Sequence, residues 1–288
     1  MIKKDKTLDE FLAAPIEEIS KVAPTTLIFA AGGTRRSAEL AGIPTPSEEY
    51  VRWSRKGMIK CCKLFFRHGV KHIIANVSAP KQYKEVTTGY REKLVEWLNW
   101  GLSGPEALND YTRLGWQVRL IGTNSLPMLE SSANLLERTQ LKQNGPTLWF
   151  VVASRNDAIW EELFTIVRQK QIQTRSEAIQ ALYGDDIPLA TLFLSFGKPE
   201  IFPAIIPPLL MGELQCYWTQ KPGYDLDSQT FRKILYDYAY LRKTWMADKT
   251  NRAQEALKYR DAWEKGPTIG LGMHLGPFWY PEPVLDYK

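Results

Sequence analysis

Five consecutive residues, Gly32, Gly33, Thr34, Arg35 and Arg36, have the types needed to hold an anion. They follow an apolar run at residues 25–30 (TTLIFA) with one alanine between. Glycines in such a place let backbone N–H groups approach a ligand, and arginines add charge and forked donors. Arg35 and Arg36 are therefore candidate diphosphate ligands. The segment lacks the GK[ST] ending of a phosphate-binding loop and is not GxGxxG. A glycine turn followed by two solvated arginines is the competing reading. No acid, histidine or thiol stands among the five residues, so the catalytic group is unknown at this stage.

Other chemistry-bearing residues are scattered. His68, His72 and His274 do not form a metal pair at helical spacing, and His68 near a helix end suits a structural role. There is no GxSxG elbow. Cys61, Cys62 and Cys216 have neither disulfide-framework nor zinc spacing. Asp185 and Asp186, in YGDDIP, could bind magnesium or form a solvated turn. Glu213, in PPLLMGELQCYW, reads as an acid inside an apolar helix. If buried it needs a metal or an arginine; facing water it needs neither. Ten tryptophans exceed what catalysis uses. Most belong in the core, and some could line an apolar tunnel where π-faces stabilise a cation.

The net charge of +5 is spread along 288 residues. That suits a small anionic substrate and is too diffuse for a nucleic-acid surface. No run of about 18 apolar residues exists, so no transmembrane helix is expected. The start, MIKKDKTLDEF, turns acidic before an apolar signal segment can form. A reduced, cytoplasmic setting is expected, with peripheral membrane association left open.

The elements that must position these residues alternate. Strands are expected at residues 25–30, 70–77, 116–122, 147–153 and 189–196. Helices are expected at 90–102, 105–114, 126–142 and 157–170, and in a long stretch from Ser228 to about Lys265. Another helix opens at Thr45-Pro46-Ser47-Glu48, read as a capping box with proline at the first helical position, and stops near Gly69. Near-continuous apolar strands between amphipathic helices predict a parallel sheet covered on both faces. Residues 1–288 read as a single α/β domain with an N-terminal extension (1–24) and a Gly/Pro/aromatic tail (266–288). The tail is apolar enough to pack on the body or over a cleft.

The order of these segments resembles the cis-prenyltransferases. GWQVRLIGTNSLP is similar to that family's GVRLRVIGD…LP segment, and GPTLWFVVASRNDAIWEELFTIVRQ to its next strand and helix. LATLFLSFGKPEIFPAIIPPLLMGELQCYWTQ resembles the block DLLIRTSGEQRLSNFLLWQLAYSELYF. RKGMIKCCKLFFRHGVKHIIANVSAPKQY resembles the helix and strand running into FSTENW, and FRKILYDYAYLRKTW a later helix with an arginine-rich end. The resemblance spans about residues 25–245. It implies an undecaprenyl diphosphate synthase-like fold: a parallel six-stranded sheet flanked by helices, with a hydrophobic tunnel, usually in a homodimer.

It also implies site residues. AGGTRR stands where the family has MDGNRR, so Gly32 replaces the aspartate that handles magnesium. Gly33 and the diphosphate-gripping Arg36 are kept, with Thr34 and Arg35 between them. Trp53-Ser54-Arg55-Lys56-Gly57 replaces GHxxG and loses its histidine. Lys81 and Gln82 replace the acid and asparagine of FSTEN. Leu194-Ser195-Phe196-Gly197-Lys198-Pro199-Glu200 replaces RTSGExR and loses both arginines that hold isopentenyl diphosphate. Lys81 and Lys198 are candidates for charge compensation, and Glu213 matches a helix glutamate that contacts magnesium. Mg2+ use is implied but weakened by Gly32. Losing two charged forks, each worth about 1.5–3 kcal/mol, removes the second diphosphate site.

The function implied is a non-elongating enzyme that ionises an allylic prenyl diphosphate. It would act as a terpene synthase or as a prenyltransferase to an acceptor other than isopentenyl diphosphate. The alternative is a catalytically inactive partner subunit or isoprenoid-binding protein, paired with an active prenyltransferase. Against that alternative, the tail GLGMHLGPFWYPEPVLDYK contains no arginine, whereas such partners contribute one.

Overall fold

The computed structural model describes residues 6–87, 89–138 and 145–282. Six strands form one all-parallel sheet: β1 (Thr26–Ala30), β2 (His72–Asn76), β3 (Gln117–Ile121), β4 (Thr147–Val151), β5 (Ala190–Phe196) and β6 (Met211–Thr219), in the order β3-β4-β2-β1-β5-β6. Alternation along the strands feeds two cores. Leu27, Phe29 and Ile73 face one side, while Ile28, Ile74 and Trp149 face the other. Helices cover both, which is why the central strands read as unbroken apolar runs. The predicted six-stranded parallel sheet is borne out.

From β1 the chain moves to β2 on one side, and from β5 to β6 on the other. The carboxyl ends of β1 and β5 therefore bound a topological switch point, where a crevice opens. Residues 32–36 leave β1 there, and Phe196 ends β5 beside them.

Three expected elements differ. PPLLMGELQCYW is not a helix: a short turn at Pro208–Leu210 leads into β6, paired with β5 through Leu192–Gln215 to Phe196–Thr219. An apolar run of this length cannot be assigned by periodicity alone, and here two prolines and the β5 edge decide. The long helix from Ser228 breaks after Ser228–Tyr236 into a π turn, Asp237–Leu241. Tyr217 Oη donates to Asp237 at 2.6 Å and Arg242 Nε to the same carboxylate at 2.6 Å, so tertiary contacts override helix propensity. The helix Glu48–Arg67 is capped by Ser47, whose hydroxyl accepts from Tyr50 N at 3.0 Å; Thr45 lies outside it.

The expected helix at 126–142 is a helix over Glu130–Arg138, and residues 139–144 lie outside the described residues. The N-terminal extension packs on the body: Phe11 is buried against Tyr236 and Tyr240. Residues 1–5 of that extension lie outside the described residues. The tail forms a hairpin, β7 (Gly272–Leu275) with β8 (Phe278–Pro281); residues 283–288 are outside the described residues. The histidines are placed structurally. His68 Nδ1 lies 2.7 Å from Leu64 O and its ring edge meets Phe231, while Trp149 Nε1 donates to His72 Nδ1 at 3.3 Å.

Candidate active site

A cleft of about 1110 Å³ opens at the switch point. Gly32, Gly33, Thr34, Arg35 and Arg36 all line its mouth, together with Lys81 and Lys198. Its deeper walls are largely apolar, with Val51, Met58 and Ile59 from the helix Glu48–Arg67 and Leu94, Leu98 and Leu102 from the helix Tyr90–Ser103.

The two arginines have different situations. Arg35 forks onto Glu85 through bonds of 2.6 and 2.9 Å and lies 4.7 Å above the Tyr90 ring. That bond from Arg35 holds the Glu85 carboxyl below its usual range. Arg36 makes no hydrogen bond or ion pair with the described residues. Its guanidinium lies between the rings of Phe196 and Phe278, 5.1 and 4.2 Å from their centroids. Its Nε is buried without a partner. An unpaired cation between two rings is held in place while its charge stays available to a ligand.

Gly33 takes a left-handed conformation, φ 68°, and a Cβ on it would stand 2.3 Å from the Phe196 ring. Only glycine fits. Gly223 N donates to Gly32 O at 2.9 Å, which ties the loop after β6 to the turn after β1. Tyr224, next in that loop, thereby reaches the helix Glu48–Arg67 at Gly57. A Cβ on Gly57 would meet the Tyr224 ring at 2.3 Å, so this mid-helix glycine exists to admit the ring.

Two tyrosine hydroxyls that the sequence did not single out meet Thr34 and Ser54 here. Thr34 Oγ1 and Tyr50 Oη are 2.7 Å apart, and Ser54 Oγ and Tyr224 Oη are 2.8 Å apart. Burial pushes the Tyr50 and Tyr224 phenols above their ordinary values. The position of Ser54 was legible as that of a lost histidine. The tyrosines carried no local signal, because their partners come from distant parts of the chain. Arg55 also lines the cleft and reaches Glu106 at 2.8 Å and Asp110 on the helix Pro105–Leu114.

The two lysines read from the sequence as candidates for charge compensation are at the rim. Lys81 pairs with Glu200 at 3.3 Å, and Lys198 is exposed with no ion pair among the described residues. Glu213 is corrected. It is exposed, near the amino end of β6, and does not line the cleft. Thr219, at the cleft end, is six positions further on, about 20 Å along a strand. The residues present do not fit a protein-held Mg2+. No group of three or more His, Cys, Asp or Glu lies close enough among the described residues. Phe196 packs where a side chain on Gly32 would project. Of the acids lining the cleft, Glu39 accepts from Thr45 and Glu200 is paired with Lys81.

Over 276 residues, and 96% of each chain, the sequence is 48% identical to the (+)-kolavelool synthase of Herpetosiphon aurantiacus. It is 24% identical over 308 residues to the tuberculosinyl adenosine transferase of Mycobacterium tuberculosis, covering 95% of this chain and 97% of that one. Two solved cis-prenyltransferase structures share the fold. Lavandulyl diphosphate synthase from Lavandula x intermedia, in complex with dimethylallyl diphosphate, superposes with TM-score 0.59 at 14% identity over 76% of this chain and 96% of its own. A probable undecaprenyl diphosphate synthase from Campylobacter jejuni gives 0.56 at 14% identity over 78% and 98%.

The chain belongs to the cis-prenyltransferase-like family. No protein-family model matches it, in keeping with a divergent member. Within this cis-prenyltransferase-like fold the switch-point cleft keeps one arginine of the first motif, Arg36, without a hydrogen bond or ion pair among the described residues. The block after β5, by contrast, offers a buried Leu194 and a neutralised Glu200. Among the described residues no helix is long and apolar enough to cross a membrane.

Proposed function

We propose that the chain is a non-elongating prenyl diphosphate enzyme. It binds an allylic diphosphate at Arg36, ionises it, and lets the carbocation lose a proton or meet an acceptor other than isopentenyl diphosphate. The observation that carries this reading is Arg36 itself, an unpaired guanidinium between two rings at the mouth of a largely apolar cleft. Leaving-group charge develops there in the transition state, and a donor already in place stabilises it without reorganisation. The backbone at Gly32 and Gly33, and Thr34, complete the mouth. The apolar walls would take the prenyl chain and shield the cation from water. The curated relatives are named as enzymes, one a synthase and the other a transferase to adenosine. That favours turnover over the inactive-partner reading.

Lys198 and the Lys81–Glu200 pair would set the charge at the rim. Mg2+ that takes part would arrive with the diphosphate, because the described residues do not form a cage for it. Residues 242–265 carry an exposed apolar surface with Trp245, Leu257, Tyr259 and Trp263, which fits a second copy in a homodimer. The direct test is incubation with geranyl, farnesyl and geranylgeranyl diphosphates, with and without magnesium and adenosine. Release of inorganic diphosphate is expected for at least one. No release from any of them, alongside stimulation of an added prenyltransferase, would instead establish the partner-subunit role.

A further inference from the structure

The hydroxyls of Thr34, Tyr50, Ser54 and Tyr224 form two hydrogen-bonded pairs set side by side by one helix. Thr34 Oγ1 and Tyr50 Oη are 2.7 Å apart, Ser54 Oγ is 2.8 Å from Tyr224 Oη, and Tyr50 and Ser54 stand one turn apart on the helix Glu48–Arg67, where residues i and i+4 are neighbours on one face. All four residues line the cleft. They start two residues from Arg36, at the anion site. Their far end, Tyr224, packs against Gly57, one turn along the helix from Ser54. Both ends are fixed: Ser47 caps the helix at Tyr50 N, while Gly223 is bonded to Gly32 and Tyr224 O accepts from Cys61 Sγ at 3.7 Å.

Capture of an allylic cation leaves a proton to place. When the C–O bond to diphosphate breaks, its electron pair leaves with the diphosphate. When a water oxygen then bonds to carbon, the new C–O group carries one proton too many. Glu39 and Glu200, the acids lining the cleft, are both engaged, by Thr45 and Lys81. The departing diphosphate is the base that remains.

We propose that Ser54, Tyr50 and Thr34 carry the proton of an acceptor, held beside them by Ser54 and Tyr224, to the diphosphate at Arg36. They thereby direct the cation to capture by a proton-bearing acceptor rather than to simple proton loss. The proposal rests on the reading of the chain as an ionising prenyl diphosphate enzyme. An acceptor held by Ser54 and Tyr224 bonds to carbon through its oxygen and gives its proton to Ser54. Ser54 passes its own proton to Tyr50, Tyr50 to Thr34, and Thr34 to a diphosphate oxygen. The products are an alcohol and protonated diphosphate. Each hydroxyl ends with one proton as it began, and nothing is oxidised or reduced. The buried phenols keep their protons at neutral pH, so they relay charge rather than store it.

The test uses the panel of allylic diphosphates named above, in 18O-labelled water, with and without adenosine. The readout is the ratio of captured product (alcohol or adenosine adduct) to alkene. Tyr50→Phe and Ser54→Ala are expected to lower that ratio about 100-fold, the lower end of what a positioned proton-transfer group contributes. Affinity for inorganic diphosphate should stay within about threefold, because no charged donor is lost. Tyr224→Phe keeps the ring in its seat and should also lower the ratio. Tyr83→Phe, whose hydroxyl donates to Ser78 outside these pairs, should leave it unchanged. In wild type the ratio should fall in deuterium oxide, and in Tyr50→Phe it should not respond. If wild type releases diphosphate but the ratio is unchanged in folded Tyr50→Phe and Ser54→Ala, or only alkene forms, the relay is wrong while the ionising activity stands. If wild type releases no diphosphate from any substrate, the relay falls together with the functional reading beneath it.

Discussion

Phe196 and Gly32 act as one unit. A Cβ on Gly32 would lie 3.2 Å from Cδ1 of Phe196 and 3.3 Å from its carbonyl oxygen. In the motif that this segment resembles, Phe196 falls on a serine and Gly32 on an aspartate. The ring therefore fills space the acid would need, and it also packs on Arg36. Gly32→Asp alone should overpack the turn by about 1–3 kcal/mol. Scanning fluorimetry should show a lowered melting temperature, largely recovered in Gly32→Asp with Phe196→Ser. No drop in the single variant would mean that the ring yields freely. The arginines separate in the same way. Arg36→Met should weaken inorganic diphosphate binding more than about tenfold, since a charged hydrogen bond is worth about 1.5–3 kcal/mol. Arg35→Met, whose fork already holds Glu85, should cost less. Equal losses by calorimetry would count against Arg36 as the main grip. This much was legible in the sequence, because glycines and arginines after an apolar run state their chemistry locally. Tyr50 and Tyr224 were not, and Ser54 was legible only as the place of a lost histidine, because their meaning lies in contacts such as Ser54 to Tyr224, 170 positions apart in the chain.

The helix Glu48–Arg67 shows how an element's oddities encode its neighbours. Alanine normally stabilises a helix interior over glycine by about 1 kcal/mol. At Gly57 the sign should reverse. The added Cβ would meet the Tyr224 ring at 2.3 Å, so Gly57→Ala should lower the melting temperature and loosen the Ser54–Tyr224 contact. A stabilised Gly57→Ala would show that Tyr224 is not seated there. At the far end of the helix, burial lowers the proton affinity of His68, as it does for His72. A depressed folded value means that stability is full above the unfolded histidine value, about 6.5. It is lost as pH falls through the folded value. Thermal unfolding between pH 7.5 and 5.5 should show a falling midpoint, and His68→Asn should flatten part of that slope. An unchanged slope in the variant would assign the loss to other groups. The helix itself was readable from its periodicity and nearby cap residues. Strand β6 was not, since its nine residues, MGELQCYWT, show neither clear period and suit either state until the partner strand is known.

At the scale of the whole molecule, the alternation of apolar runs and amphipathic helices was enough to give a parallel sheet, and the switch point then followed from strand order. What it could not give was the course of the chain after Tyr236. There a helical pattern is broken by contacts to Asp237, and residues 242–265 are left on the outside. Trp245 and Trp263 are 76% and 72% exposed, with Leu257 and Tyr259 alongside. Monomers rarely leave large aromatic side chains together in water, and a symmetric second copy would bury the same patch twice. Sedimentation at micromolar concentration should therefore show a dimer. Replacing Trp245 and Trp263 together by glutamate should place unpaired charges in that contact and shift the chain to monomer. Phe278 reaches Arg36 from within the same chain. The monomer should accordingly keep inorganic diphosphate affinity within about threefold of the dimer, because no charged donor of the site is removed. A wild-type monomer would overturn the dimer. A dissociated variant that loses diphosphate binding would show instead that the partner copy completes the mouth of the cleft.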